Sequence, residues 1–374
     1  MNPTFSIQSS DVKPKAHFHF LDGLRAIAAF WVILYHVGPD DRLTQLTKLL
    51  PEWLVTIIFK SGSLGVSIFF VLSGFVIAYS MRNAKIDLKY FQGFTLRRFI
   101  RLSPPYYVAI IIALAFALLS SYAKGNAFAP MGEPVSLQRL FAHLFYVQSF
   151  FGFQHIDDVY WTLCLEVQFY LVFGVLLGLS QWLNYRFNFN YGLAIVFIPS
   201  AIVAVLFPMG ILGDQGRPIT FLPLWYGFLL GVFAYWSWQN KWKRNLFYLY
   251  SVILVAVGVI NSSIFAIACV LTAVMILEVA RANCLHTWFS WSWLQFLGNI
   301  SYTLYLTHVP LLGAVFFVFQ KFFGHSLVSE LLSLVVAISV CIACAVLMWQ
   351  FVEKPSIKWS RSIKLVNSTE AIKA

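Results

Sequence analysis

Long apolar runs dominate the chain, and short polar segments separate them. Ten of these runs are close to the roughly 20 residues that a helix needs to cross a bilayer. The pattern therefore predicts an all-α protein, a polytopic membrane helix bundle of about ten transmembrane helices. An eleventh run, 139–153, is shorter and amphipathic, and we expect it to lie on or dip into the outer face. The predicted spans are 20–37, 62–80, 104–121, 160–179, 191–208, 219–236, 246–260, 263–280, 299–322 and 327–352.

Composition supports this architecture. Of the 374 residues, 60% are hydrophobic and only 11% are charged, and the mean hydropathy is +0.75. Soluble domains carry about 25% charged residues, so an ordinary soluble enzyme, a secreted module and a disordered protein are excluded. We expect one membrane domain over 1–374, with short cytoplasmic tails at about 1–18 and 356–374. The first apolar run contains Asp22 and Arg25, which argues against a cleaved signal peptide.

The net charge of +11 could indicate a nucleic-acid partner. Its distribution points instead to membrane topology, because Lys and Arg concentrate in cytoplasmic loops. With both termini inside, 18 basic residues fall on the cytoplasmic side and 7 on the opposite side, and Arg25 completes the 26. This bias predicts an N-in, C-in multi-pass protein of the inner (plasma) membrane. The bilayer is then the expected partner, and nucleic acid is not.

The first span carries two polar residues on one helical face. Arg25 and His36 are eleven residues apart, which at 100° per residue returns to within about 20° of the start, roughly 16 Å along the axis. Asp22 lies three residues before Arg25 and can pair with it. The spacing favours an inward-facing polar lane from a cytoplasmic-side guanidinium to an outer-side imidazole. The alternative to a polar lane is that Arg25 extends to the membrane surface together with Asp22 and that His36 lies at the membrane interface.

Further polar residues occur in later spans, where ionisable groups are functional candidates. The fourth span enters the membrane from the outer side, and Glu166 lies in it at the depth expected for His36. A carboxylate beside an imidazole is what a general base requires. The alternative is a buried Glu satisfied by Tyr or Trp groups. Tyr302, Tyr305 and His308 share overlapping faces of the ninth span, where His308 is either functional or a structural hydrogen-bond partner.

Two other segments suggest binding or close packing. Arg98 and Arg101 are three residues apart at the mouth of the third span, which Pro104 and Pro105 are expected to reset. Paired guanidinium groups suit phosphates, although cytoplasmic topology and anionic lipid explain them equally well. Ser73, beside a glycine in the second span, indicates either close helix packing or a backbone role near a ligand. No metal-ligand pattern or phosphate-binding loop is present.

Six segments, taken together and in order, resemble the integral-membrane acyltransferase-3 family. They are LDGLRAIAAFWVILYH, FFVLSGFVI, RRFIRLSPPYY, WTLCLEVQFY, GNISYTLYLTH and FVEKP, and they extend from residue 21 to 355. In two places the chain departs from the family pattern. Thr162 stands where Ser is more familiar, and Val167 and Gln168 stand where aromatics are common, which bears on the acceptor more than on activity. Some members of the family carry an additional extracytoplasmic hydrolase-like domain. This sequence shows no such segment, so it resembles the standalone type.

The resemblance implies an O-acyltransferase that moves an acyl group, commonly acetyl from cytoplasmic acetyl-CoA, to a hydroxyl of a cell-surface or periplasmic carbohydrate. It implies a catalytic group of His36, Arg25 and Glu166, with His36 as the reacting residue, and it implies Arg98 and Arg101 as the donor site. The acyl-CoA is a donor substrate, and no permanently bound cofactor is expected. Whether His36 acts as general base or transient acyl carrier, which acyl group moves and which acceptor receives it all stay open.

A different class of function also fits buried charges and a kinked span. A polytopic transporter or exporter of a lipid-linked glycan or a small molecule uses similar features. A scaffold for a glycosyltransferase is a third possibility, but it has no need for Arg25 and His36 inside the bilayer. The chain shows no internal symmetry, and its Arg-rich loop lies on one side only. Both features favour the enzyme.

Overall fold

A computed structural model describes residues 17–38, 42–213, 218–238 and 240–365. All of the regular secondary structure in these ranges is helical. The α-helices, numbered in chain order, are α1 His19–Val37, α2 Thr44–Leu49, α3 Glu52–Val55, α4 Gly65–Ser80, α5 Leu88–Lys124, α6 Leu137–Leu144, α7 Trp161–Phe187, α8 Gly192–Leu206, α9 Trp225–Trp238, α10 Lys241–Ile260, α11 Ile264–Arg281, α12 Ser292–Phe323, α13 Leu327–Met348 and α14 Lys354–Ser362. Short π-helical turns, Thr56–Lys60 and Trp349–Glu353, lead into α4 and α14.

Eight helical segments of the described chain are long and apolar enough to cross a membrane. The helix α8, with 15 residues, and the helix α9, with 14, are shorter but lie where two further spans were expected. The prediction of an all-α polytopic membrane bundle is therefore confirmed. The count of ten spans and the N-in, C-in orientation stay predictions. The eight segments are His19–Val37, Glu52–Ser80, Leu88–Lys124, Trp161–Phe187, Lys241–Ile260, Ile264–Arg281, Ser292–Phe323 and Leu327–Ser362.

The third predicted span differs from expectation at its start. The helix α5 begins at Leu88, where the Asp87 side chain accepts a hydrogen bond from the Tyr90 backbone N–H at 2.7 Å. It then continues through Pro104 and Pro105 without a break. Bundle helices tolerate proline because their neighbours compensate for the lost backbone bonds. The expected reset at the prolines is therefore wrong, and the arginines before them lie inside one long helix.

Two segments outside the predicted spans, 139–153 and the C-terminal tail, are partly helical. In the piece predicted at 139–153, only α6 is helical, and the buried guanidinium of Arg139 donates to the backbone carbonyls of Pro130, Gln154 and His155 at 2.9–3.0 Å. The predicted C-terminal tail begins as α14, which packs along α5. Residues 1–16 and 366–374 of the predicted tails lie outside the described chain.

The helices α4 and α9 approach each other through glycines. A Cβ atom on Gly74 would lie 2.0 Å from the backbone oxygen of Phe228, and one on Gly231 would lie 2.0 Å from that of Val71. The sequence interpretation of the second span as a close-packing surface is thus supported at Gly74. Because the obstructing atoms are backbone, neither helix can yield without moving as a whole. This contact fixes the position of α4, which carries Ser73.

Replacing Gly231 by Ala should therefore destabilise the protein. Overpacking a tight core costs about 1–3 kcal/mol, and a clash with backbone belongs at the upper end of that range. We expect a lower unfolding temperature in detergent, measured by intrinsic fluorescence. The matched control is Gly313→Ala in α12, where an added Cβ meets no atom within 4 Å. Equal unfolding temperatures for the two variants would show that the α4–α9 contact is looser than described.

Candidate active site

A cavity of about 290 Å³ lies at the centre of the bundle, between α1, α4, α5, α7 and α12. It gathers residues that are far apart in sequence and that were each predicted to be functional candidates. Seven of the nine predicted site residues line it, and His36 and His308 do not. The seven are Asp22, Arg25, Ser73, Arg98, Arg101, Glu166 and Tyr302.

One part of this cavity is rich in guanidinium groups. Arg98 and Arg101 line it from α5, as their spacing on one helical face predicted, and Arg25 lines it from α1. Arg361 on α14 joins them, and sequence reasoning missed it because the segment after residue 355 was expected to be a tail. Four guanidinium groups around one small space form a site suited to a strongly anionic ligand such as a phosphate.

Acidic and aromatic groups hold these arginines in position. Asp22 accepts a hydrogen bond from the Arg25 guanidinium at 3.1 Å, which is the pairing that the i, i+3 spacing predicts. The Arg98 guanidinium lies 4.7 Å from the centroid of the Tyr170 ring, at cation–π distance. Glu353, placed by the second π-helical turn, interacts electrostatically with Arg101. The cationic wall is therefore preorganised and only partly neutralised.

Glu166 does not lie beside His36 as expected. Its Oε1 atom accepts a hydrogen bond from the Ser73 hydroxyl at 2.9 Å and another from the Tyr170 hydroxyl. Tyr170 is one turn further along α7, and Ser73 faces α7 from α4. Glu166 thus points toward α4 and not toward His36. Its hydrogen-bond partners are hydroxyl groups, as in the alternative interpretation of the sequence. Glu166 nevertheless lines the cavity.

His36 has a different carboxylate partner. Its Nε2 atom lies 3.5 Å from the Oδ2 of Asp158, in the loop before α7. Its Nδ1 atom lies 2.9 Å from the backbone oxygen of Val32 and 3.2 Å from Nε2 of His308. The Nδ1 of His308 is in turn 2.8 Å from the backbone oxygen of Tyr305. Asp158, His36 and His308 thus form a continuous polar chain at the C-terminal end of α1.

The hydrogen-bond partners assign the tautomer of each imidazole. A carbonyl only accepts, so the Nδ1 of His308 and the Nδ1 of His36 both carry hydrogen. The Nε2 of His308 is then an acceptor for the His36 N–H. In the neutral form this arrangement leaves Nε2 of His36 without a hydrogen, and the Asp158 carboxylate, 3.5 Å from that atom, would pair with the imidazolium that forms when Nε2 takes a proton. The arrangement suits a general base or a nucleophile.

Sequence reasoning missed Asp158 because it searched for carboxylates inside the spans. The available signal was the Asp157–Asp158 pair directly before the aromatic start of α7. The side chains of His36 and Asp158 are 12% and 23% exposed, so the pair is partly accessible from the surface of the protein. Asp157 is buried behind them.

A layer of side chains separates the cavity from this pair. The Thr162 hydroxyl donates to the backbone oxygen of Val159 and accepts from the Tyr305 hydroxyl at 2.9 Å. Both Thr162 and Tyr305 line the end of the cavity, and the ring centroid of Tyr305 is 5.9 Å from that of His308. The predicted open lane from Arg25 to His36 is therefore wrong for this conformation, because the hydroxyl pair closes it.

Asp157 gives the outer loop a pH-dependent stability. Burial raises the pKa of its carboxyl from 3.8 to about 7, although the Val159 N–H and His36 act in the opposite direction. Because the pKa is raised in the folded state, the stability that this carboxyl contributes is fully present below pH 3.8. That contribution falls as the pH rises further and is lost once the pH has passed 7. Asp157→Asn should abolish that loss and raise the unfolding temperature most above pH 7. A thermal unfolding series from pH 5 to 8.5 tests this, with Glu52→Gln, an exposed carboxylate, as the control. Parallel pH curves for wild type and Asp157→Asn would contradict it.

Comparisons with known proteins identify the family of the chain. A family model described as an acyltransferase domain matches residues 18–350. The chain is 25% identical to the peptidoglycan O-acetyltransferase OatA of Listeria monocytogenes over 78% of this chain and 49% of that protein. It is 26% identical to a Staphylococcus aureus protein named "Putative O-acetyltransferase" over 93% of this chain and 58% of that one. A Bacillus subtilis protein named "Putative peptidoglycan O-acetyltransferase YrhL" is 26% identical over 90% and 54%.

The chain spans about half the length of the curated relatives that it matches. No solved structure matches it. The arrangement of Arg98, Arg101, His36 and Asp158 therefore comes from this structure alone.

Proposed function

This chain belongs to the acyltransferase family whose model it matches over residues 18–350, and on that premise we propose that it is a membrane O-acetyltransferase acting on a carbohydrate hydroxyl. The observation that carries the proposal is the pairing of two features in one bundle. A four-arginine cavity lies on one side of the Thr162–Tyr305 layer, and the basic Nε2 of His36 lies on the other.

The donor in this proposal is an acyl-CoA, a substrate that arrives from the cytoplasm and leaves as free CoA. Its phosphates suit Arg98, Arg101 and Arg361, because guanidinium groups bind phosphate oxygens bidentately. A cavity of about 290 Å³ is at the lower limit for a drug-sized ligand. The pantetheine arm therefore enters the cavity while the nucleotide stays at its mouth. No resident cofactor is required.

The acyl group then crosses the Thr162–Tyr305 layer toward His36. The acceptor oxygen attacks the thioester carbonyl while Nε2 of His36 takes the hydroxyl proton, and the Asp158 carboxylate stabilises the imidazolium. The carbon–sulfur bond breaks, and the proton passes from the imidazolium to the departing CoA thiolate. In the two-step version, Nε2 attacks the thioester carbonyl, the carbon–sulfur bond breaks and CoA leaves as the thiolate. The acceptor oxygen then attacks the acyl-imidazolium, its proton passes to the Asp158 carboxylate and on to solvent, and the neutral imidazole leaves. In both versions the reacting atom on the protein is Nε2.

Glu166 supports this path from within the cavity. With Ser73 and Tyr170 it forms a hydrogen-bonded group opposite Arg98, whose guanidinium stacks on the same Tyr170 ring. Tyr302 closes the neighbouring wall, where its hydroxyl donates to the backbone oxygen of Leu102 at 2.9 Å. We assign these residues to positioning the donor arm rather than to proton transfer, because they do not contact His36.

The acceptor in this proposal is a hydroxyl of a cell-wall or other surface glycan, reached from the outer side of the plasma membrane. The side chains of His36 and Asp158, 12% and 23% exposed, offer an approach to Nε2 that does not pass through the cavity. Two of the relatives are named as peptidoglycan O-acetyltransferases, one of them as putative, which favours a peptidoglycan sugar among the possible acceptors.

Mass spectrometry of surface glycans tests the proposal. Cells that lack the protein should lose an acetyl substituent, wild-type protein should restore it, and the His36→Ala variant should not. In parallel, purified protein should consume acetyl-CoA when a glycan acceptor is present. Unchanged glycan acetylation in the deletion strain, together with no consumption of acetyl-CoA, would overturn the assignment.

A further inference from the structure

A second cavity, of about 540 Å³, lies between α8, α9 and α10 and shares no lining residue with the first. The helices α8 and α10 both pack against α9, and between them they leave a groove. Phe233 and Trp236 of α9 form its floor. The Tyr250 hydroxyl of α10 donates to the backbone oxygen of Ala201 on α8 at 3.3 Å, which ties the two walls together.

The groove is long enough to hold an acyl chain. On α10 its wall runs from Lys243 to Ile253, roughly 15 Å at 1.5 Å per residue, and on α8 from Leu193 to Leu206, roughly 20 Å. An acyl chain of a phospholipid fills one leaflet, which is half of the roughly 30 Å hydrocarbon core of a bilayer. Its rim on α8 includes Ile198 and Ile202, which are 53% and 58% exposed, so the groove opens sideways toward lipid.

A positive charge marks one end of the groove. Lys243 is the only charged residue in its lining, and its Nζ lies 5.9 Å from the Trp236 ring centroid. It forms no ion pair with any acidic residue of the described chain. Lys241 and Arg244 stand beside it in the first turn of α10, whose N-terminus adds a partial positive charge. The opposite end of the groove is apolar.

We propose that this groove binds one acyl chain of an anionic glycerophospholipid, with the lipid phosphate on Lys243. The apolar walls take the chain, and the single cation at the membrane-surface end takes the headgroup. In the predicted orientation the lipid belongs to the cytoplasmic leaflet, where anionic lipids attract basic residues. This site is independent of the proposed function.

Native mass spectrometry of the detergent-purified full chain tests the proposal. The protein is incubated with equal amounts of phosphatidylglycerol and phosphatidylcholine that carry the same acyl chains. We expect phosphatidylglycerol to be retained about fivefold better, the effect of one basic residue near a membrane surface. Lys243→Gln should remove this preference, and Ala194→Trp, which fills the groove from an exposed position, should lower retention of both lipids.

Two control variants complete the experiment. Lys85→Gln removes an exposed lysine on the same predicted side, and Ala115→Trp adds an indole to an exposed face of α5 outside the groove. Both should retain phosphatidylglycerol as the wild type does. If the preference survives Lys243→Gln, or if retention survives Ala194→Trp, the lipid is bound elsewhere and the proposal is overturned. A native dimer that Ala194→Trp dissociates, with lipid retention unchanged, would also overturn it and assign the groove to a second copy.

Discussion

The variant His36→Ala should insert and fold normally but lose acyl transfer by about 10²–10⁴-fold, the contribution typical of a positioned general base or acid. The reason is that Nε2 of His36 is the imidazole nitrogen whose lone pair the surrounding carbonyls leave free. Asp158→Asn should reduce the rate by less, because it weakens the stabilisation of the imidazolium but keeps the base. The measurement is acetyl-CoA turnover by the purified protein with a soluble glycan acceptor.

His325→Ala is the matched control for this prediction. His325 is exposed in the loop between α12 and α13, far in sequence from the residues of the site. The control variant should retain wild-type turnover. If His36→Ala and His325→Ala turn over equally, His36 is not the reacting residue, whatever the family of the chain.

The second large effect concerns the cationic wall. Arg98→Gln should raise the KM for acyl-CoA by about 10-fold to 100-fold, since a hydrogen bond to a charged group contributes about 1.5–3 kcal/mol. Arg101→Lys is the better variant at the neighbouring position, because it keeps a charge opposite the buried Glu353. It should raise the KM through the loss of bidentate geometry alone. Initial rates over a range of acetyl-CoA concentrations separate KM from kcat.

Arg186→Gln serves as the matched control for the arginine variants, because Arg186 is exposed at the end of α7 and does not line the cavity. It should leave the KM unchanged. A result in which Arg98→Gln lowers kcat while the KM stays constant would mean that the cavity does not bind the donor phosphates.

Local relationships within the bundle were predictable from the chain. The Asp22–Arg25 pair and the common face of Arg98 and Arg101 follow from helical periodicity, which needs no knowledge of tertiary packing. The positions of the helices follow from hydropathy, because a lipid-exposed backbone has few alternatives to a helix. The close approach at Gly74 follows from the absence of a side chain.

Relationships between helices were predicted less well. The rotation of α7 about its own axis depends on packing that no local pattern records, so the expected contact between Glu166 and His36 was wrong. Asp158 was missed because it lies in a loop outside the predicted spans, where a carboxylate is not unusual. The Thr162–Tyr305 bond joins two residues 143 positions apart, and no local pattern predicts such a contact.

The central claim is that an acyl group crosses the bundle from the arginine cavity to His36, and reconstitution with separated sides tests it most directly. Proteoliposomes receive labelled acetyl-CoA on the side of α14 and a membrane-impermeant glycan acceptor only on the opposite side. The account predicts labelled glycan on the side opposite the donor, and none with His36→Ala. Labelled glycan that forms only when donor and acceptor share one side would contradict it.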